Sequence, residues 1–223
     1  MDVDDQMRTV VVGIGAGGHA KVLIDILQLM GGFDITGLTD SRPELRGKNL
    51  NGIPILGSDE LLPGLFRGGT KCAFLGVGGV GNNHPRAVVF ERVRQMGFEF
   101  INATHPSASI ARSVVMETGV AIMAGAVVNP DAHVGCNVVI NSGAVVEHDC
   151  VLGDHVHVGP GAALAAAVTV GRYSHIGLHA AIKQGVSIGD DVVVGAGAVV
   201  LHDVGAGEVV LGIPARAKGG RHN

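Results

Sequence analysis

Large rings, charge and cysteine are all scarce in this chain. Its 223 residues include no tryptophan, one tyrosine and 3% aromatics overall, and charged residues make up only 16%. With a formal net charge of −4, nothing in the balance points to a surface for a polyanion, so nucleic acid is not an expected partner. Long apolar runs are missing too: none approaches the ~20 residues that span a bilayer. The first residues, Met1 to Gln6, are acidic and do not read as a signal peptide. Cysteine occurs only at Cys72, Cys136 and Cys150, an odd, scattered set without metal-ligand spacing. Reduced thiols in a cytoplasmic protein are the expectation. Few aromatics with 36 glycines would suit a disordered chain, but hydrophobic residues still reach 47%.

What is present is a period of six. From Ile110 to Val204 the chain divides into sixteen successive hexads without an insertion. Their first positions (Ile110, Met116, Ile122 and onward to Val200) are never polar, and their fifth positions (Val114, Val120, Ala126 and onward to Val204) are always small or β-branched. Neither the helical period nor the alternation of a simple strand accounts for this. A fixed hexapeptide period predicts a parallel β-helix of short strands and tight turns. The first and fifth residues point inward, and the second to fourth make a corner. Seven second positions, among them Gly135, Gly159, Gly177 and Gly195, are glycine, with Asn129 and Asn141 at two others. Corners are expected to need the backbone conformations that these residues tolerate. Three hexads close a triangular coil, so residues eighteen apart stack and about five coils form.

Residues 8–103 are of another kind. A β-branched run from Arg8 to Ile14 leads into a glycine loop, and helical spacing follows from His19 to Met30. Ile35 to Leu38 reads as a second strand ending at Asp40, and Ser58 to Leu62 as a short helix, N-capped by Ser58 and stopped by Pro63-Gly64. Cys72 to Val77 is a third strand, His84 to Met96 a helix and Glu99 to Ile101 a last strand. Alternation of strand and helix predicts a small parallel α/β domain, Rossmann-like. The expected organisation is a disordered segment 1–7, this domain at 8–103, the β-helix at 104–205 and a C-terminal tail at 206–223.

Two constellations carry chemistry. Gly13-Ile14-Gly15-Ala16-Gly17-Gly18 has the G-x-G-x-x-G spacing between strand and helix, where a backbone can approach phosphate at a helix N-terminus. Asp40 then sits where an acidic residue reaches a ribose. Glycines that only pack the helix tightly on the sheet are the competing reading. A full dinucleotide fold needs about twice this length. In the β-helix, His148 holds a third, corner position between Glu147 and Asp149, with Asn141 opening the previous corner and His157 closing the next hexad. A histidine beside a carboxylate is fixed in one tautomer and made a better base; a solvated surface histidine is the bland alternative. His155, His175, His179 and His202 read as similar corner or edge residues and lack a closed metal-ligand set, so no metal is expected.

The chain resembles the bacterial sugar acyltransferases that include bacillosamine and perosamine N-acetyltransferases and sialic-acid O-acetyltransferases. The resemblance rests on GAGGHAK (Gly15 to Lys21), Asp40, GNNHPR (Gly81 to Arg86), HPSA (His105 to Ala108), INSGAVVEHDC (Ile140 to Cys150), GDHVHVGPGA (Gly153 to Ala162) and GIPA (Gly212 to Ala215). It implies an N-terminal domain for a nucleotide-linked sugar, a left-handed β-helix for acetyl-CoA, and a homotrimer with sites between neighbouring β-helices. It implies a role in polysaccharide biosynthesis. His148 would be the general base, Asp149 its partner, Asn141 a neighbour in the site and His157 a residue touching the thioester. Gly15, Gly17, Gly18, His19, Asp40, Asn82 and Arg86 would bind the nucleotide sugar. Ala166 stands where the family usually has a glycine whose amide faces the thioester oxygen, and its methyl would narrow the acyl pocket. Stacking suggests a pantetheine path along Pro160, Leu178 and Ala196. The expected reaction is direct acetyl transfer from acetyl-CoA to a sugar amine, with sugar O-acetylation, an NAD-dependent reductase and a non-catalytic scaffold as competing classes. Sequence leaves open which nucleotide and sugar are used.

Overall fold

The computed structural model describes residues 8–218. The expected disordered segment 1–7 and the last five residues of the expected tail lie outside the described residues. The chain forms two units: one runs to Gly78 and takes up Val88–Pro106, the other holds Gly79–Ala87 and everything from Ser107 onward.

The first unit is the expected α/β layer. Strand β1 (Thr9–Ile14) lies at its centre with Val11, Val12 and Ile14 buried, flanked in parallel by β2 (Phe33–Thr39) and, on its other side, β5 (Cys72–Leu75). Helix α1 (Gly18–Met30) buries Ala20, Leu23, Ile24, Ile26 and Leu27 and ends at Gly31, whose φ of 69° lies in the left-handed region. Beyond β2 comes a hairpin that the strand–helix reading passed over: β3 (Asn49–Leu50) and β4 (Ile53–Gly57), joined by Asn51-Gly52 with both φ positive. An Asn-Gly pair is the standard two-residue hairpin signal. The short helix differs from expectation. Asp59–Leu61 is a 3-10 turn, and α2 (Leu62–Arg67) begins where Pro63 was expected to stop it. Proline lacks the N–H that the first helical turn leaves unpaired anyway, so it opens this helix instead. Ser58 makes no side-chain cap. Helix α3 (His84–Gln95) and β6 (Glu99–Phe100) complete the series, and the sheet order is β3-β4-β2-β1-β5-β6.

The second unit is a left-handed parallel β-helix. Two-residue strands stack eighteen apart on three faces. The first face carries Ala121–Ile122, Val139–Ile140, His157–Val158, His175–Ile176 and Val193–Val194. Strands from Ser109–Ile110 to Val199–Val200 make the second, and those from Val115–Met116 to Ser187–Ile188 the third. First and fifth hexad positions fill the core, from Val120 and Ile122 to Ala198 and Val200. Residues 206–218 are not a tail. Val209–Leu211 pairs with Val193–Val194 and Arg216–Ala217 folds back on it, extending the first face by one strand and a hairpin.

The corner glycines correct the sequence reading. The left-handed residue of each corner is the fourth, not the second: every fourth position from Gly119 to Gly197 has positive φ, including Asp131, Asn137, Asp149, His155, Ala167, Tyr173, His179 and Asp191. The second-position glycines serve close approach instead. A Cβ on Gly177 would lie 2.6 Å from the amide of Ala196, and one on Gly159 2.7 Å from the carbonyl of Ile176. Glycine there sets how tightly successive coils pack.

Candidate active site

In the first unit the glycine motif splits by role. Gly13 is a packing residue, since a Cβ would sit 2.4 Å from both Leu38 and Phe74. Gly15 makes the turn with φ 91° and presses on the backbone of Gly76 and Val77. Gly17 and Gly18 face open space at the start of α1, an N-terminus with no side-chain cap. The packing reading of the motif thus holds for Gly13 and Gly15, and Gly17 and Gly18 are left open at the helix start. Uncapped N–H groups and the helix dipole favour an anion there. A cleft of about 250 Å³ opens beside Gly15, lined by Asp40, Val77, Asp59 and Arg92 at the carboxyl ends of the strands, where β1 is flanked on both sides.

Asp40 is more committed than a ribose acceptor would need to be. One of its oxygens accepts from the Ala16 amide (2.7 Å) and Arg42 Nη2 (2.9 Å), the other from the Arg42 amide (3.0 Å) and Nε (2.9 Å). The Arg42 bond, aided by backbone donors, holds its carboxyl down at about 2 against the opposing effect of burial. Its four acceptor sites are filled, so Asp40 pins the glycine loop and a ribose hydroxyl would have to displace Arg42. Asn82 and Arg86 belong to the segment that joins the second unit. Asn82 Oδ1 accepts the His84 amide at 3.0 Å in a local turn. Arg86 is 2% exposed, and burial lowers its pKa to about 9. Arg86, expected to bind the nucleotide sugar, is thus enclosed within the second unit.

In the β-helix, His148 is exposed at the corner between the second and third faces, and its Nδ1 lies 2.6 Å from Asp149 Oδ2. That hydrogen bond raises the histidine's pKa and leaves Nε2 as the proton-accepting nitrogen. Asp149 holds a left-handed backbone, φ 58°, which turns its carboxylate toward the preceding ring. Ala166 is eighteen residues on, and the Ala167 amide donates to the His148 carbonyl at 2.9 Å. It therefore groups with His148 and not with the residues expected to bind acetyl-CoA.

Those residues gather elsewhere, and Asn141, expected beside His148, lies among them. Asn141, His157, Pro160, Leu178 and Ala196 line one cleft of about 510 Å³ along the first face and its corner with the second. Pro160, Leu178 and Ala196 stack at the eighteen-residue spacing, each following one of the glycines 159, 177 and 195. His157 is buried with Nδ1 2.8 Å from the Gly79 carbonyl and Nε2 3.1 Å from Asn141 Nδ2. Burial first, then the adjacent His175 and Arg86, lower its pKa to about 4, so the ring is neutral near pH 7. Sequence reasoning missed His175, which crosses His157 edge-on at 4.9 Å and lines the same cleft. It is 8% exposed, and His155 is buried against Tyr173, so neither is the solvated edge residue expected. The sum of 157 and 18 was the available signal for His175. Among the described residues no group of three or more His, Cys, Asp or Glu could hold a metal ion, and no helix is long and apolar enough to cross a membrane.

Residues 11–93 match the PglD N-terminal domain, and residues 131–166 match the bacterial transferase hexapeptide of six repeats. A solved structure of perosamine N-acetyltransferase from Caulobacter crescentus, a histidine-to-asparagine variant in complex with CoA and GDP-perosamine, is 40% identical over 94% of this chain and 97% of its own, with a TM-score of 0.88. The chain belongs to the bacterial sugar acyltransferase family. The acetyltransferase domain of PglB from Neisseria gonorrhoeae, in complex with acetyl coenzyme A, is 34% identical over 94% of this chain and 99% of its own, TM-score 0.87. WeeI from Acinetobacter baumannii is 25% identical over 94% and 100%, TM-score 0.79. Among curated protein sequences there is no match.

Proposed function

We propose that this protein transfers the acetyl group of acetyl-CoA to the amine of a nucleotide-linked amino sugar. The observation that carries the reading is the pairing of an apolar cleft under Asn141 and His157 with a histidine base, His148, oriented by Asp149. Relatives of at least 34% identity are solved with CoA and GDP-perosamine and with acetyl coenzyme A, which supports both substrate classes. The apolar cleft along Pro160, Leu178 and Ala196 suits a pantetheine arm, and the open Gly17–Gly18 helix start suits the diphosphate. In the reaction the sugar nitrogen attacks the acetyl carbon and His148 Nε2 takes the proton the amine sheds. Collapse then breaks the C–S bond, releasing the CoA thiolate, which takes up a proton to leave as the thiol. An N–H aimed at the carbonyl oxygen would stabilise the oxyanion.

The copies would be three. Asn141 opens the corner between the first and second faces, whereas His148 lies on the corner between the second and third, so one chain holds acyl cleft and base on opposite edges of its second face. The outward residues of that face are Ser109, Val127, Val145, Ala163, Ala181 and Val199, small and without charge, a surface suited to packing against another β-helix. Cytoplasmic synthesis of polysaccharide precursors fits such substrates. Incubation with acetyl-CoA and UDP-, GDP- or dTDP-linked 4-amino sugars, followed by mass spectrometry, tests the reading. A gain of one acetyl on nitrogen supports it; no acetyl-CoA binding by calorimetry, or acetylation only of hydroxyls, overturns it.

A further inference from the structure

The segment Gly79–Ala87 precedes most of α3 yet packs with the β-helix, and its interactions converge on one ring. Asn83 is 0% exposed, and its Nδ2 donates to the carbonyls of Tyr173 (3.1 Å) and Ser174 (3.0 Å). Two carbonyls can only accept, so the amide orientation is forced. Ser174 O also accepts the His157 backbone amide at 3.0 Å, so Asn83 grips the coil junction that carries both His157 and His175. The next residue, His84, stacks on Tyr173 at 4.4 Å and pairs with Asp191. The other face of Asn83 meets Gly79: a Cβ there would lie 2.7 Å from Asn83 Oδ1. Among the described residues that buried Oδ1 has no hydrogen-bond partner, at a cost of about 1–3 kcal/mol.

The Gly79 carbonyl is what this arrangement delivers. It can only accept, so His157 must carry its proton on Nδ1. Nε2 is then an acceptor and takes Asn141 Nδ2, while Asn141 Oδ1 accepts the Ser142 amide at 2.8 Å. One N–H of the Asn141 amide remains to be offered to the cleft. A ring with the opposite tautomer would present its own N–H and turn that amide around.

We propose that segment 79–84 is a tautomer lock: Asn83 and Gly79 fix His157 as the Nδ1–H form, and His157 thereby makes Asn141, not itself, the side-chain donor to the acyl carbonyl. Asn83 and His157 are then positioning residues and Asn141 a catalytic one, a division that rests on the acetyl-transfer reading above. The lock can be read without any substrate. In protein labelled with ¹⁵N-histidine, with His157 assigned through His157→Gln, the imidazole shifts should report the single Nδ1–H form. In Asn83→Ala the Nε2–H form should appear, kcat should fall by about tenfold as one oriented hydrogen bond is lost, and the KM of the nucleotide sugar should stay the same. Gly79→Ala attacks the lock from its other side and should give the same spectrum, which keeps the test open if Asn83→Ala does not fold. A wild-type ring protonated on Nε2, or an unchanged Nδ1–H form in a folded variant, overturns the lock. A locked ring in a chain that acetylates no amino sugar supports the lock and removes only the assigned reaction.

Discussion

At the scale of single residues, two histidines half a coil apart are tuned in opposite directions. The Asp149 carboxylate raises the pKa of His148, so its basic form is gained only as pH climbs past the ordinary histidine value. The acidic limb of the kcat/KM profile should therefore lie above about 6.5, and Asp149→Asn should move it to lower pH. His148→Ala should remove that limb and lower kcat by about 10²–10⁴-fold while calorimetric acetyl-CoA binding persists. His157 is the reverse case, held neutral to about pH 4 by burial. An unfolded chain binds that proton near 6.5 and the folded one does not, so stability is complete above 6.5 and is lost as pH falls toward 4. The loss is on the order of 3 kcal/mol. Urea midpoints measured across that window should fall steeply, and less so in His157→Gln. His148 and Asp149 were legible because a corner position and an adjacent acid are local features. His155 and His175 were not, because whether an outward hexad position is wet depends on which distant segment covers it. Here Asn83 and His84 lie against that coil, and they come from some ninety residues away.

At the scale of the element, the hexad was legible down to its core residues, since an aliphatic first and small fifth position leave no other packing. The meaning of its glycines was not. A glycine demanded by φ and one demanded by a neighbouring coil look alike in sequence, and only the clash distances separate them. Ala167 provides a test of the first kind. It is an alanine at φ 56°, and the left-handed region costs a Cβ-bearing residue about 1–2 kcal/mol against the roughly 0.5–1 that glycine loses in chain entropy. Ala167→Gly should thus raise the Tm slightly. Gly177→Ala, whose Cβ would meet the Ala196 amide at 2.6 Å, should lower it by far more, and calorimetric melts of both would show whether the two glycine roles are rightly assigned. A rise for Gly177→Ala would mean that the coils can part without cost. In the α/β unit the strand–helix alternation is legible apart from the β3–β4 hairpin, and Pro63 opens its helix instead of stopping it, because proline suits a first turn as well as a stop.

At the scale of the molecule, one chain separates His148 from the Asn141 cleft by the full width of the second face, and this makes the proposed assembly testable through chemistry. In a ring of three, each site would draw His148 from one copy and Asn141 with its cleft from the next. Light scattering should give a trimer, but mass alone would not show that sites are shared. Complementation would. His148→Ala and Asn141→Ala should each be nearly inactive as pure trimers. Co-expressed with different tags and purified through both, the mixed trimers should recover activity, because a site formed by His148 of one variant and Asn141 of the other is intact. Whichever variant supplies two of the copies, each mixed trimer holds one such site in three, by the symmetry of a closed ring. If each site were built within a single chain, every site would carry one of the two lesions and mixing would restore nothing. Recovery near a third would mark His148 and the Asn141 cleft as partners across an interface, and no recovery in a verified mixed trimer would remove His148, Asn141 or the ring from the mechanism.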